Sequence, residues 1–464
     1  MESTDQPTNH SPRVDGDGTA VQSSASESAA IPATLRQPGA LKFWAAVVAT
    51  GFGAGASAAA LMLLLRSVQH WAWPGPGTLL ESASAASPGR HFAVLLAAGL
   101  LTGAGQMILV RLASGNSIDI AEAIWFSAGR LPAWRTLGSA LLSIVIVGMG
   151  ASLGREGAPK QAGAVIANAL SDKAKLSDEQ RRLLVACGAG AGMAAAYGVP
   201  LGGALFALEV LRGILALRLV LPALLTSAIA TLVSWTVLPD APTYFLPSFQ
   251  TSASVICWAI LAGPVVGVVS VGYVRLIAFA DHHKPGGWMR YYAPGAALGL
   301  LGLVSIFFPQ LLGNGKDLAQ LTFLGEVAVA PLFILLALKP IATALCLGSG
   351  APGGLFTPSL TLGALLGAVL GHAWSLLWPG QPIALFAVIG AASTLAATTQ
   401  GPISAVVLMM ELTGHDRSFI APLVLAVVGA TAVSRSIEPR SIYDARLSDE
   451  QVNARLKTRE PPIF

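Results

Sequence analysis

One pattern occurs twice in this chain, and the pair constrains the fold more than any other feature. Gly188-Ala189-Gly190-Ala191-Gly192-Met193-Ala194-Ala195-Ala196-Tyr197-Gly198-Val199-Pro200 leads into an apolar stretch ending at Glu209. Gly390-Ala391-Ala392-Ser393-Thr394-Leu395-Ala396-Ala397-Thr398-Thr399-Gln400-Gly401-Pro402 leads into another ending at Glu411. The first glycine, an Ala-Ala pair, the proline and the glutamate fall at matching offsets. Upstream, Gly154-Arg155-Glu156-Gly157-Ala158 stands against Gly354-Leu355-Phe356-Thr357-Pro358 at nearly the same displacement. Two duplicated halves, 50–235 and 255–437, are expected. Membrane transport folds use such repeats, parallel or inverted, with the binding site where the repeats meet.

Composition supports a membrane setting. The 464 residues are 54% hydrophobic and only 11% charged, against roughly 25% charged in soluble domains. Apolar stretches near the roughly 20 residues that cross a bilayer recur at Phe43–Leu65, His91–Val110, Val255–Leu276, Tyr292–Phe308 and Ala328–Leu347. Others, such as Ile120–Ala128 and Pro402–Leu412, are short or interrupted. With 50 glycines and 29 prolines, broken helices around a polar path are expected rather than simple anchors.

Residues 1–35 are polar, lack the pattern of a secretory signal, and read as a disordered tail. Residues 36–447 read as one membrane domain, and 448–464 as a short tail without appended CBS domains. Cations gather at Lys173, Lys175, Arg181 and Arg182, and again from Arg435 to Arg459. By the positive-inside tendency both termini are expected in the cytoplasm, most simply of a bacterial inner or plasma membrane. A net charge of +4 gives no reason to expect nucleic acid. Cys187, Cys257 and Cys346 lie far apart in apolar sequence and read as buried small hydrophobes. His282 and His283 beside Asp281 point apart and make a poor metal site. No metal or cofactor is expected. No Ser/His, paired Asp or His-x-x-x-His arrangement supports an intramembrane enzyme.

Glu156 carries the function-bearing signal. It lies among glycines directly after the apolar run Leu137–Leu153, and a carboxylate there is expensive unless it faces a pathway or a partner. Gly154–Pro159 and Gly353–Pro358 precede expected helices at 161–170 and 360–370. The first N–H groups of a helix lack intrahelical partners, and the aligned peptide dipoles make that end partly positive. Two such ends meeting in the membrane would make an anion site without a buried cation. Partial charges hold an anion and still release it, which suits throughput.

The segments Gly-Arg-Glu-Gly (154–157), Gly-Gly-Leu-Phe-Thr-Pro (353–358) and Ser-Ile-Tyr (441–443) together resemble the anion-path motifs of the CLC chloride channel and chloride/proton antiporter family, over about 40–447. The resemblance implies an all-α integral membrane fold with about 18 tilted and partly re-entrant helices in two inverted repeats. It also implies a homodimer with one anion pathway per subunit. Glu156 matches the family's gating glutamate, and Arg155 and Gly157 flank it. Leu355 and Phe356 match residues whose N–H groups line the central site, and Tyr443 matches the tyrosine facing the anion.

Three departures stand out. The family's serine motif is present only as Ser114-Gly115-Asn116-Ser117-Ile118, in which Asn116 or Ser117 supplies the donor beside Gly115. Ala158 replaces a proline. Val210, one place after Glu209, stands where exchangers often carry an inner proton-relay glutamate. Glu209 and Glu411 themselves read as structural helix-end carboxylates. The reading is transport of chloride or other small inorganic anions across the bilayer, channel-like or weakly coupled. The alternative is proton-coupled antiport, chloride/proton or fluoride/proton.

Overall fold

A computed structural model describes residues 39–112, 119–248, 251–414, 419–447 and 450–452. The expected donors Gly115, Asn116 and Ser117 lie outside them, as does the tail 1–35. Nothing beyond Leu447 except 450–452 is described. From Lys42 onward the chain forms one unit.

The first half runs α1 (Ala40–Ala72), α2 (Leu79–Ser84), α3 (Pro88–Leu112), α4 (Ile120–Phe126), α5 (Ala133–Gly148), α6 (Gly157–Ala174), α7 (Asp178–Tyr197), α8 (Pro200–Leu205) and α9 (Leu217–Trp235). A π-helical turn, Phe206–Arg212, extends α8. The second half runs α10 (Ala253–His282), α11 (Met289–Ser305), α12 (Lys316–Leu324), α13 (Val329–Gly348), α14 (Phe356–Ser375), α15 (Ile383–Thr399), α16 (Pro402–Thr413) and α17 (Ile420–Ile437). The all-helical membrane fold is as expected. Among the described residues, six helices are long and apolar enough to cross a membrane by length and composition. The helices α6 and α14 begin earlier than expected, at Gly157 and Phe356, because each motif proline sits third in its helix. Proline is tolerated there, where no intrahelical N–H bond is lost.

The repeat is visible in the packing. Lipid tails are as apolar as leucine, so membrane helices associate through close backbone approach at small residues. A Cβ added to Gly163 of α6 would lie 2.0 Å from the Gly188 carbonyl oxygen of α7. One added to Gly363 of α14 would lie 2.5 Å from the Gly390 carbonyl oxygen of α15. The matching glycines of the two sequence copies therefore make the same crossing. Beyond them, Val199 (φ −123°, ψ 70°) and Gly401 (φ −123°, ψ 74°) turn the chain alike into α8 and α16. Pro200 and Pro402 open those helices, their missing N–H costing nothing there.

Glu209 and Glu411 join the halves reciprocally. Glu209 accepts from the Ile403 and Ser404 N–H groups at 3.1 and 2.6 Å, at the start of α16. Glu411 accepts from the Leu201 and Gly202 N–H groups at 2.9 and 2.6 Å, at the start of α8. Each carboxylate meets the positive end of the other half's helix. Both serve helix ends, as structural carboxylates should.

One cysteine expectation is corrected. Cys187 and Cys346 are buried, but Cys257 is exposed on α10. The outer face of a spanning helix meets lipid, so a small apolar residue need not be buried to leave water.

Candidate functional site

Two loops of the same construction meet to make the site. The chain leaves α5 through Met149 and Gly150 (φ 110°), and leaves α13 through Ser349 and Gly350 (φ 96°). Gly154 and Gly354 then pair across the halves as an isolated antiparallel bridge. Each N–H donates to the other's carbonyl, at 2.7 and 2.8 Å. Two strands running oppositely and exchanging identical bonds is what an inverted repeat produces at its axis. The bridge satisfies four backbone groups that lipid could not, and it brings the starts of α6 and α14 together.

Glu156 follows at once and is 0% exposed. It stands at the N-cap of α6 but makes no side-chain bond to its own helix. Instead it reaches across the repeat axis. Its Oε1 accepts the Phe356 N–H of α14 at 2.7 Å. Its Oε2 accepts from the Tyr197 hydroxyl at 3.3 Å and from Thr357 Oγ1 at 3.4 Å. Tyr197 Oη and Thr357 Oγ1 are themselves 2.7 Å apart. A Cβ on Gly354 would lie 2.0 Å from Glu156 Oε1, and one on Gly154 would lie 2.2 Å from it. Two glycines thus leave just enough room for the carboxylate. A negative side chain occupies the helix start at which an anion donor was expected, held by a helix end and hydroxyls.

The flanking residues part to opposite sides. Gly157, Gly354, Leu355 and Tyr443 line a cavity of about 460 Å³. Arg155 lines a separate cavity of about 210 Å³ with Arg66, Lys316 and Asp317. Its guanidinium carbon sits 4.7 Å above the Tyr197 ring centroid. Glu156 lies buried between these walls, next in sequence to one lining residue of each.

Tyr443 is fixed from both sides. The Ile442 N–H donates to the Thr398 carbonyl at 2.7 Å, and the Asp444 N–H donates to Ser441 Oγ at 3.1 Å. Its ring meets Phe206 edge-on at 6.0 Å. Its hydroxyl is buried and has no hydrogen-bond partner among the described residues. A buried hydroxyl normally finds a partner, and this one belongs to a residue that lines the cavity. Further out, Asp281 bonds Arg446 at 3.0 Å and Lys284 at 2.5 Å. This engages the carboxylate beside the two histidines with cations. Burial, with Arg446 beside it, pulls the Lys284 ammonium below its ordinary value against the pull of Asp281.

Three residues of the site carried no expectation. Tyr197 and Thr357 hold Glu156, and Lys160 stands one turn after it on α6. Lys160 is 6% exposed and lines the larger cavity. Its Nζ sits 4.8 Å above the Tyr443 ring and 5.1 Å above that of Phe206. A buried cation thus stands one turn from the helix start at which partial charges alone were expected. An aromatic lining can accept an ammonium by its ring faces where a wholly aliphatic one would expel it. The only available signal was a lone lysine four places after Glu156 in an otherwise uncharged turn. Val210 is buried in the π-helical turn, against Gly401.

Comparison with known proteins bears on the family and the fold. Residues 98–435 match the profile of a family described as voltage gated chloride channel. The chain is 31% identical over 386 residues to the H(+)/Cl(-) exchange transporter ClcA of Vibrio parahaemolyticus, covering 80% of this chain and 82% of that protein. It is 33% identical over 382 residues to the voltage-gated ClC-type chloride channel ClcB of Escherichia coli, covering 79% and 89%. A slow cyanobacterial Cl-/H+ antiporter has the same fold, with a TM-score of 0.76 at 22% identity over 91% of this chain and 99% of that one. A CLC-type fluoride/proton antiporter gives 0.71 at 22% identity over 88% and 98%. At that identity the structural likeness speaks for the fold alone.

Proposed function

We propose a route for anions through this chain, which belongs to the voltage-gated chloride channel (CLC) family and transports anions across a membrane. Chloride or another small inorganic anion enters the larger cavity and passes Tyr443 and Leu355. It reaches the Phe356 N–H when the Glu156 carboxylate leaves it, and exits past Arg155. Protonation of Glu156 removes the competing charge and frees the helix start. The observation that carries this reading is the Glu156 carboxylate seated on the Phe356 N–H across the repeat axis. Flux is channel-like or weakly coupled, a reading supported by Val210, which carries no proton at the inner position. The exchanger reading, chloride/proton or fluoride/proton, draws on the named exchangers among the relatives. Arg446, which lines the larger cavity, favours the cytoplasm for that side, and a homodimer is the assembly proposed.

Liposomes containing this protein alone are expected to lose chloride when a potassium ionophore balances charge. Liposomes without it should not. Retention of chloride by both would refute the route.

Tyr443→Phe tests the inner end of the path. One hydrogen bond to a charged group contributes roughly 1.5–3 kcal/mol, and this hydroxyl has no partner to lose among the described residues. Calorimetric titration is expected to give weaker chloride binding with little change in thermal stability. Equal affinity in both proteins would remove Tyr443 from the path.

A further inference from the structure

We propose that the Lys160 ammonium is itself an anion ligand, forming with the Tyr443 hydroxyl an inner halide site one helical turn from the Glu156 gate. The inference rests on the anion route above and adds to it a full positive charge.

The two buried lysines of the described chain make the contrast. Lys339 is 1% exposed, and its Nζ donates to the Leu311 and Gly313 carbonyls at 2.9 and 3.0 Å. Its burial is explained by the protein alone. Lys160 is 6% exposed, yet among the described residues its Nζ has only the ring faces of Tyr443 and Phe206. Ring faces offset part of the desolvation of an ammonium but accept none of its three protons directionally.

The charges nearest it are already engaged. Glu156 is bonded to Phe356, Tyr197 and Thr357. Asp119 caps the Ala121 N–H at 2.9 Å and lies 3.7 Å from Arg446, and Arg446 has the same sign as Lys160. What remains in front of Nζ is the cavity that Tyr443 also lines. Among the described residues the Tyr443 hydroxyl has no acceptor and the Lys160 ammonium meets only ring faces, and both residues line one cavity, so an acceptor from solution would serve both. A compact ammonium suits a spherical monovalent anion, where a guanidinium fork would favour a planar one. Such a site binds more tightly than partial charges do and releases more slowly.

Bromide titration of the full-length protein in detergent is the test, with Lys160→Met and Lys160→Arg. Methionine keeps the apolar stem and removes the charge. It is expected to weaken bromide binding roughly ten- to hundredfold, as loss of a charge-assisted bond does, whereas arginine keeps the charge but not the compact head and is expected to fall between methionine and wild type. Unchanged affinity in Lys160→Met, with only a lower melting temperature, would make the lysine a clip for two rings and overturn the proposal. A second measurement needs no variant. In crystals grown with bromide, an anomalous peak is expected within hydrogen-bonding reach of both Lys160 Nζ and Tyr443 Oη. A peak at Phe356 alone would overturn this site and leave the route standing. No bromide bound anywhere, with no anion flux, would remove both.

Discussion

Chloride flux through the Glu156→Ala protein is expected to persist and to lose most of its dependence on pH. In the wild type the carboxylate holds the Phe356 N–H at 2.7 Å, so an anion reaches that donor only when the side chain is neutral or has moved. Alanine leaves the donor available at every pH. The Gly154–Gly354 bridge is made by backbone and does not need the side chain, so the site should stay assembled. Efflux from liposomes across a pH series measures this. A pH profile identical to wild type would detach gating from Glu156, and complete loss of flux would give the residue a structural task.

Gly354→Ala should produce the same phenotype from the opposite loop. Its Cβ would stand 2.0 Å from Glu156 Oε1 and 2.3 Å from the carboxyl carbon. No rotation of a methyl group relieves that contact, so the carboxylate must leave its seat. Flux is expected to rise at neutral pH and its pH profile to flatten. Adding Glu156→Ala should then change little, because two substitutions acting on one contact are not additive. Additive effects, or an unaltered profile in Gly354→Ala, would place the carboxylate elsewhere in the working protein.

Much of this arrangement was legible before the structure, and the reasons differ by residue. Gly188 and Gly390 stand out because close helix crossing demands glycine, and a duplicated crossing leaves a duplicated pattern. Glu156 stands out because an acid among glycines at membrane depth is costly. Its holders Tyr197 and Thr357 do not, since each lies at the far end of a sequence separation that only folding closes. Glu209 and Glu411 read as structural acids in register. Their exchange across the halves required the helices to be seen side by side. The helices α6 and α14 start ahead of the sequence expectation, because a proline reads as a boundary although it is welcome in a first turn. Lys160 was missed for a different reason. Expectation favoured partial charges over a full one, and the Phe206 and Tyr443 rings that shelter the ammonium are distant in sequence.

The central claim is an anion path gated by Glu156 that does not carry protons in fixed proportion. Val210 bears no titratable group, so a proton reaching Glu156 from the larger cavity has no acid at that position to receive it. Simultaneous recording of chloride efflux and proton uptake settles the claim in liposomes holding this protein alone under an imposed chloride gradient. The expected result is chloride efflux with proton movement that varies with conditions and stays far below stoichiometric. A proton-to-chloride ratio that stays constant across gradients would contradict it and make the protein an exchanger.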